Sequence, residues 1–150
     1  MNNPEYAAAK HILSKTEDRK YMRFLKVFNG QAIATNGKVL LAFNTSLTNG
    51  FYFPTIITKK QTTWEKVDTD LDYPEYESLL PSNVGELLLD GIHPEHITAK
   101  IAIESGVALS SEWVKIYKCL EITSYACTSN KHPVIFFGGC FTLVVMPFVL

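Results

Sequence analysis

Apolar positions recur along this chain with two different spacings. Over residues 5–14 the spacing is helical: Tyr6, Ala9 and Leu13 share one side, while His11 and Lys15 fall on the other. Asn3 stands where an N-cap belongs and Pro4 at the first helical position, where a missing N–H costs nothing. From Tyr21 onward the period shortens to that of strands. Runs at 21–28, 31–35 and 38–43 are separated by Asn29-Gly30 and Asn36-Gly37, and Asn-Gly pairs accept the positive φ that tight hairpins demand. The pattern predicts a three-strand antiparallel meander. Asn49-Gly50 then opens a run over 51–58, and Lys59-Lys60-Gln61 separates it from 62–67, which predicts a further hairpin.

The second half repeats the theme. Residues 68–81 are acidic and carry Pro74 and Pro81, the pattern of an ordered surface loop with a short helical turn, and 82–94 reads as a connector with one short strand or turn. Residues 96–103 and 106–109 are extended in character. Ser110 is placed to cap a helix reaching about Leu120, whose stripe is Trp113, Ile116, Tyr117 and Leu120, with Glu112, Lys115 and Lys118 off it. Runs at 122–128, 133–137 and 140–146 supply three more strands. A helix followed by three strands therefore occurs twice, over about 4–67 and about 96–150, with an acidic segment at 68–95 between. The expected architecture is α+β, one domain over 1–150 in which two helices pack on a mostly antiparallel sheet.

Composition narrows the class. With 150 residues, 47% hydrophobic and 19% charged, the chain is not disordered and needs neither metal nor disulfide to bury a core. Cys119, Cys127 and Cys140 cannot all pair and show no zinc-binding spacing, so they read as small buried thiols in a reducing cytoplasm. Residues 133–150 carry no charge over a length that approaches a membrane span. Gly138-Gly139, Pro133 and Pro147 turn that run into a buried hairpin, and the opening residues have neither a charged leader nor an apolar run; no membrane partner is expected. The net charge of -1 conceals an asymmetry: nine Lys/Arg face three Asp/Glu in residues 1–60, and two face ten in 61–104. Six of the fourteen basic residues lie between Lys10 and Lys26. Such a dipolar chain can offer one basic surface to a polyanion.

Common cofactor and hydrolase signatures are absent from the sequence. His93 and His96 have a metal-like spacing, but Pro94 interrupts the helix that would aim both imidazoles one way. The carboxylates Asp68, Asp70, Asp72, Glu75 and Glu77 lack the spacing and glycine of a calcium loop. A small metal-dependent hydrolase built on the two histidines and the acidic loop is thus the weaker alternative. No catalytic residue, metal or cofactor is expected.

Three segments resemble signatures of the bacterial DNA polymerase III beta sliding clamp, and they come in the same order. They are residues 34–40 (Ala-Thr-Asn-Gly-Lys-Val-Leu), 73–81 (Tyr-Pro-Glu-Tyr-Glu-Ser-Leu-Leu-Pro) and 144–150 (Val-Val-Met-Pro-Phe-Val-Leu). In outline the resemblance extends from about residue 5 to the C-terminus, and compact clamp-like proteins of phages and prophages are similar in layout. The departures are that Lys38-Val39 stands for His-Arg and Val149-Leu150 for Arg-Leu, that the strand expected before the first helix is missing, and that a clamp subunit has three such domains. The resemblance implies a non-enzymatic accessory protein of replication or repair with two surfaces. One touches double-stranded DNA without reading sequence, through Lys15, Arg19, Lys20, Arg23, Lys115 and Lys118. The other captures client peptides of DNA polymerase and related proteins beside Met22, Thr35, Gly37, Lys38, Val39, Leu40, Pro74, Leu79, Val145, Met146, Pro147 and Phe148. It also implies a homo-oligomer and a pocket completed across a subunit contact. The alternative within the same fold is a peptide-binding modulator of the host replication machinery that forms no ring.

Overall fold

Asn29 and Gly30 both adopt positive φ, 51° and 78°, and fold the chain back on itself between β1 (Leu25–Phe28) and β2 (Gln31–Thr35). The computed structural model describes residues 4–13, 20–58, 61–69, 87–89, 91–127 and 132–147, with backbone alone at 20, 21, 56–58 and 61. At the next turn the Asn36 side chain accepts from the backbone N–H groups of Lys38 and Val39, both at 2.9 Å, and so sets the start of β3 (Val39–Asn44). The expected meander β1-β2-β3 is present, in the register Val27↔Ala32 and Ile33↔Ala42. The hairpin β4 (Gly50–Thr58) and β5 (Gln61–Val67) follows, with β4 pairing β1 on its free side.

The second half supplies β6 (Leu87–Leu88), β7 (Ser124–Ala126), β8 (Val134–Phe137) and β9 (Phe141–Val145). The nine strands of the described residues join one antiparallel sheet in the order β5-β4-β1-β2-β3-β9-β8-β7-β6. Its centre is the β3–β9 seam, where Leu41 faces Leu143. On either side of that seam the strands run outward in the same sense, last, middle, first, so the two meanders are related by an approximate two-fold. The position beyond β1 is filled by β4, which follows its meander, whereas the position beyond β7 is filled by β6, which precedes its helices.

Helix α1 (Pro4–Ile12) packs on β2 and β3 and beside α3 (Val114–Tyr117). Tyr6, Ala8, Ala9 and Ile12 face inward, and the Tyr6 ring stands edge-on to Phe43 at 5.0 Å while its hydroxyl meets Thr45 Oγ1. The expected stripe on the second helix is equally buried: Trp113, Ile116, Tyr117 and Leu120. Each such side chain taken from water contributes roughly 1.5–3 kcal/mol. Because side chains alternate along a strand, β3 sends Val39, Leu41 and Phe43 toward the helices and Leu40 and Ala42 to the other face. There, Ile33, Ile135 and Val144 join them in a smaller buried cluster.

Four expectations change. Residues 96–103, read as extended, belong instead to a helix, α2 (Ile97–Ser105). The alternation of Ile97, Ala99, Ile101 and Ile103 mimics a strand, but Ile97 and Ile101 bury at helical spacing while Ile103 is 87% exposed. Gly106 ends this helix at φ 69°, and a 3-10 turn over Pro94–His96 starts it, with the His93 ring accepting from the Glu95 N–H. Among the described residues the helices are thus three, not two. The helix expected from Ser110 to about Leu120 is a 3-10 turn over Ser111–Trp113 followed by the single turn of α3, and the strand expected from Tyr21 begins as a 3-10 turn over Lys20–Arg23. Finally, Cys140 is exposed in the β8–β9 turn rather than buried, while Cys119 and Cys127 are half-buried; all three are free. The uncharged run after Pro133 does fold as the hairpin β8–β9, and no helix among the described residues is long and apolar enough to cross a membrane. The acidic loop lies outside the described residues beyond Thr69.

Candidate nucleic-acid and peptide surfaces

Two helices lie side by side on one face of the sheet, and their polar sides carry the basic groups. On α1 these are Lys10, half-buried, and His11, exposed; on α3 and just after it they are Lys115 and Lys118, both exposed. Partial desolvation, then the charges of Lys115 and Lys10, hold the His11 imidazole below its ordinary value. Lys118 is engaged: its ammonium lies 2.9 Å from the Glu95 carboxylate on the 3-10 turn ahead of α2. The hydrogen bond and charge of Lys118, with smaller effects of His93 and His96, hold that carboxyl below its ordinary value. Cys119 donates to the Lys115 carbonyl at 3.3 Å, and burial pushes its thiol up, which disfavours the thiolate.

Of the six basic residues expected at DNA, the structure brings together Lys115 and Lys118. Arg23 is half-buried on its 3-10 turn, Lys20 has only its backbone described, and Lys15 and Arg19 lie outside the described residues. Lys10 and His11 are the residues that sequence reasoning left out. The one available signal was the helical wheel, which already put His11 on the side of α1 away from the core.

The second surface is the corner where β3 starts and β9 ends. Met146 N–H donates to the Lys38 carbonyl at 2.9 Å, so the first and last of the three motifs meet within one chain. Gly37, Lys38 and Met146 are exposed there, Met146 at 43%, and Pro147 is half-exposed. The other expected peptide contacts differ in kind. Met22, Val39 and Val145 are core residues, Leu40 belongs to the cluster on the opposite sheet face, and Thr35 is buried with its hydroxyl donating to the Val39 carbonyl at 2.9 Å. Pro74, Leu79 and Phe148 lie outside the described residues.

His93 and His96, at the two ends of the exposed 3-10 turn with ring centroids 5.8 Å apart, line an open groove of about 470 Å³ together with Lys100, Ile103 and Glu104. Among the described residues no group of three or more His, Cys, Asp or Glu is placed to hold a metal ion. Ammonium and imidazole groups on a helical face are suited to binding phosphates electrostatically.

No protein-family model matches the sequence, and no curated protein matches it. Solved structures do. The DNA polymerase sliding clamp of Bacillus subtilis superposes with a TM-score of 0.61 at 11% identity, over 98% of this chain and 62% of that one. The DNA polymerase III beta subunit of Thermotoga maritima gives 0.63 at 9% identity, over 99% and 64%. The fold is that of a sliding clamp. The Helicobacter pylori beta clamp, solved bound to a DNA ligase peptide, gives 0.62 at 11% identity, over 98% and 64%. The chain spans less than two thirds of the length of these clamps. At this identity the clamp likeness is one of backbone architecture, so the chain's own side chains must carry any argument about its function.

Proposed function

We propose that this chain is a clamp-like accessory protein of DNA replication or repair, without catalytic activity, that touches duplex DNA through the α1–α3 face. The single observation behind the reading is that a clamp fold here presents Lys10, His11, Lys115 and Lys118 on the side of two adjacent helices turned away from the core. Contact of this kind neutralises phosphates and reads no bases. Affinity therefore falls steeply with salt, with a log-log slope of about -0.9 for each phosphate neutralised on duplex. The test is a low-salt titration of duplex with the wild type and with Lys10, Lys115 and Lys118 reversed in charge together. Affinity lost in the variant supports the reading, and an unchanged titration refutes it.

A second surface for client peptides is favoured by the corner at Lys38 and Met146, where an exposed methionine, an adaptable apolar contact, adjoins backbone shared by two motifs. Calorimetry with a clamp-binding peptide tests it. Truncating Phe148 to Ala should cost on the order of 2 kcal/mol of binding if that side chain is a central anchor. Absence of heat from a folded wild type at high peptide concentration removes the peptide surface. Self-association through the outer strands β5 and β6 is the remaining element of the reading, since open sheet edges invite pairing. Light scattering across a concentration series, with and without long DNA, decides between a ring-forming clamp and a monomeric peptide-binding module.

A further inference from the structure

We propose that His11 is a phosphate contact of the α1–α3 face and that polyanion binding there takes up a proton on its imidazole. This rests on the reading of that face as a DNA-contacting surface, and adds to it a residue and a pH dependence. His11 is exposed on the last turn of α1, next to Lys10 and within electrostatic reach of Lys115 on α3. The strands beneath α1 bring no titratable group to this side: β2 and β3 present Ala32, Ala34, Val39, Leu41 and Phe43. On the α3 side the next charged groups are Glu112, on the turn ahead of the helix, and Lys118, which already pairs with Glu95. The imidazole therefore sits in the field of two ammonium groups.

In the free protein partial burial and that field favour the neutral ring. A phosphodiester entering the same field reverses the balance. Its negative charge favours imidazolium, and imidazolium offers two N–H donors where the neutral ring offers one. The proton comes from solvent, one N–H bond forms, and a phosphate oxygen accepts the hydrogen bond. Since the bound form holds the proton more tightly than the free form, the added affinity is fully present below the free value. It is lost as pH rises through the bound one, at most tenfold per pH unit.

The experiment is fluorescence anisotropy of a labelled duplex with the full chain at constant ionic strength, from about pH 5.5 to about pH 8, the window in which histidine titrates. It uses wild type, His11→Asn, His11→Lys and the His93→Asn/His96→Asn double variant, each checked for fold by circular dichroism. The expected result is an affinity that rises as pH falls in wild type and in the double variant. His11→Asn loses that component, and His11→Lys binds tightly with a flat profile. A wild-type pH slope equal to that of His11→Asn overturns the proposal while leaving the DNA face standing. Absence of salt-dependent binding by wild type at every pH overturns both.

Discussion

Tyr117 offers a sharp test of how α3 is held under its basic face. Its side chain is fully buried, its ring lies 5.1 Å from Phe136, and its hydroxyl has no hydrogen-bond partner among the described residues. A buried hydroxyl left unpaired costs about 1–3 kcal/mol. Tyr117→Phe removes that cost and leaves a void no larger than one oxygen, so stability should rise by about 1 kcal/mol, or roughly 2–4 °C in Tm for a chain of this size. Tyr125 is the internal control. Its hydroxyl lies 2.7 Å from Ser105 Oγ and donates to Glu104 Oε1 at 2.9 Å, so Tyr125→Phe loses partners and Tm falls. The same geometry fixes a pH dependence. Burial pushes the Tyr117 phenol well above its ordinary value of 10.0. With the folded value raised, the stability it carries is complete below about pH 10 and declines above it, because only the unfolded chain then releases the proton. Tyr117→Phe should flatten that decline in part, since the Tyr125 phenol and the Cys119 thiol, both also raised by burial, contribute to it as well. Urea melts at neutral pH and above about pH 10, followed by circular dichroism, measure both effects. A Tyr117→Phe protein that melts below wild type, as Tyr125→Phe does, would mean that the hydroxyl is satisfied and would refute the reasoning.

Glu95→Gln frees the Lys118 ammonium, so duplex affinity at low salt should rise and the log-log salt slope steepen by about 0.9; an unaltered slope means Lys118 does not reach phosphate. Gly138→Ala places a Cβ against the Phe141 ring and 2.7 Å from the Glu121 carbonyl oxygen, whereas Gly139→Ala meets nothing within 4 Å; chemical melts should show a loss of stability in the first and little change in the second. Leu143→Ala, at a fully buried position in the β3–β9 seam, should cost about 2–5 kcal/mol in the same assay. A thiol reagent should modify exposed Cys140 before Cys119, whose thiol is pushed up by burial, and mass mapping of the first labelled peptide checks the order.

The strands were legible because their signals are local. Asn-Gly pairs at 29–30 and 36–37 demand turns, and the runs between them are too short for anything but strands. The α3 stripe was legible for the same reason, every member of it being buried. Helix α2 was not. Its isoleucines alternate, and only the termination at Gly106, the Lys100–Glu104 pair at 2.9 Å and the exposure of Ile103 reveal a 3.6-residue period. At the candidate surfaces, sequence indicated which segments matter but not which side chains stay outside. Val39 and Val145 carry motif positions, yet the seam between their strands buries them; that pairing joins residues distant in sequence and no local pattern announces it. The setting of His11 beside Lys115 exists only after α1 and α3 pack, so its sequence neighbours do not mark it.

The seam between β3 and β9 also constrains how the molecule can come into being. Its partners lie roughly a hundred residues apart, so the middle of the sheet is closed by contacts of long sequence separation, which form slowly. Until β9 arrives, β3 has an open edge of consecutive apolar residues, from Val39 to Phe43, at what will become the centre of the sheet. A nascent chain is therefore exposed to mispairing with a second copy for as long as its first meander is made and its last strand is not. A cell making this protein has reason to shield that edge during synthesis, and a refolding experiment should go best in dilute solution.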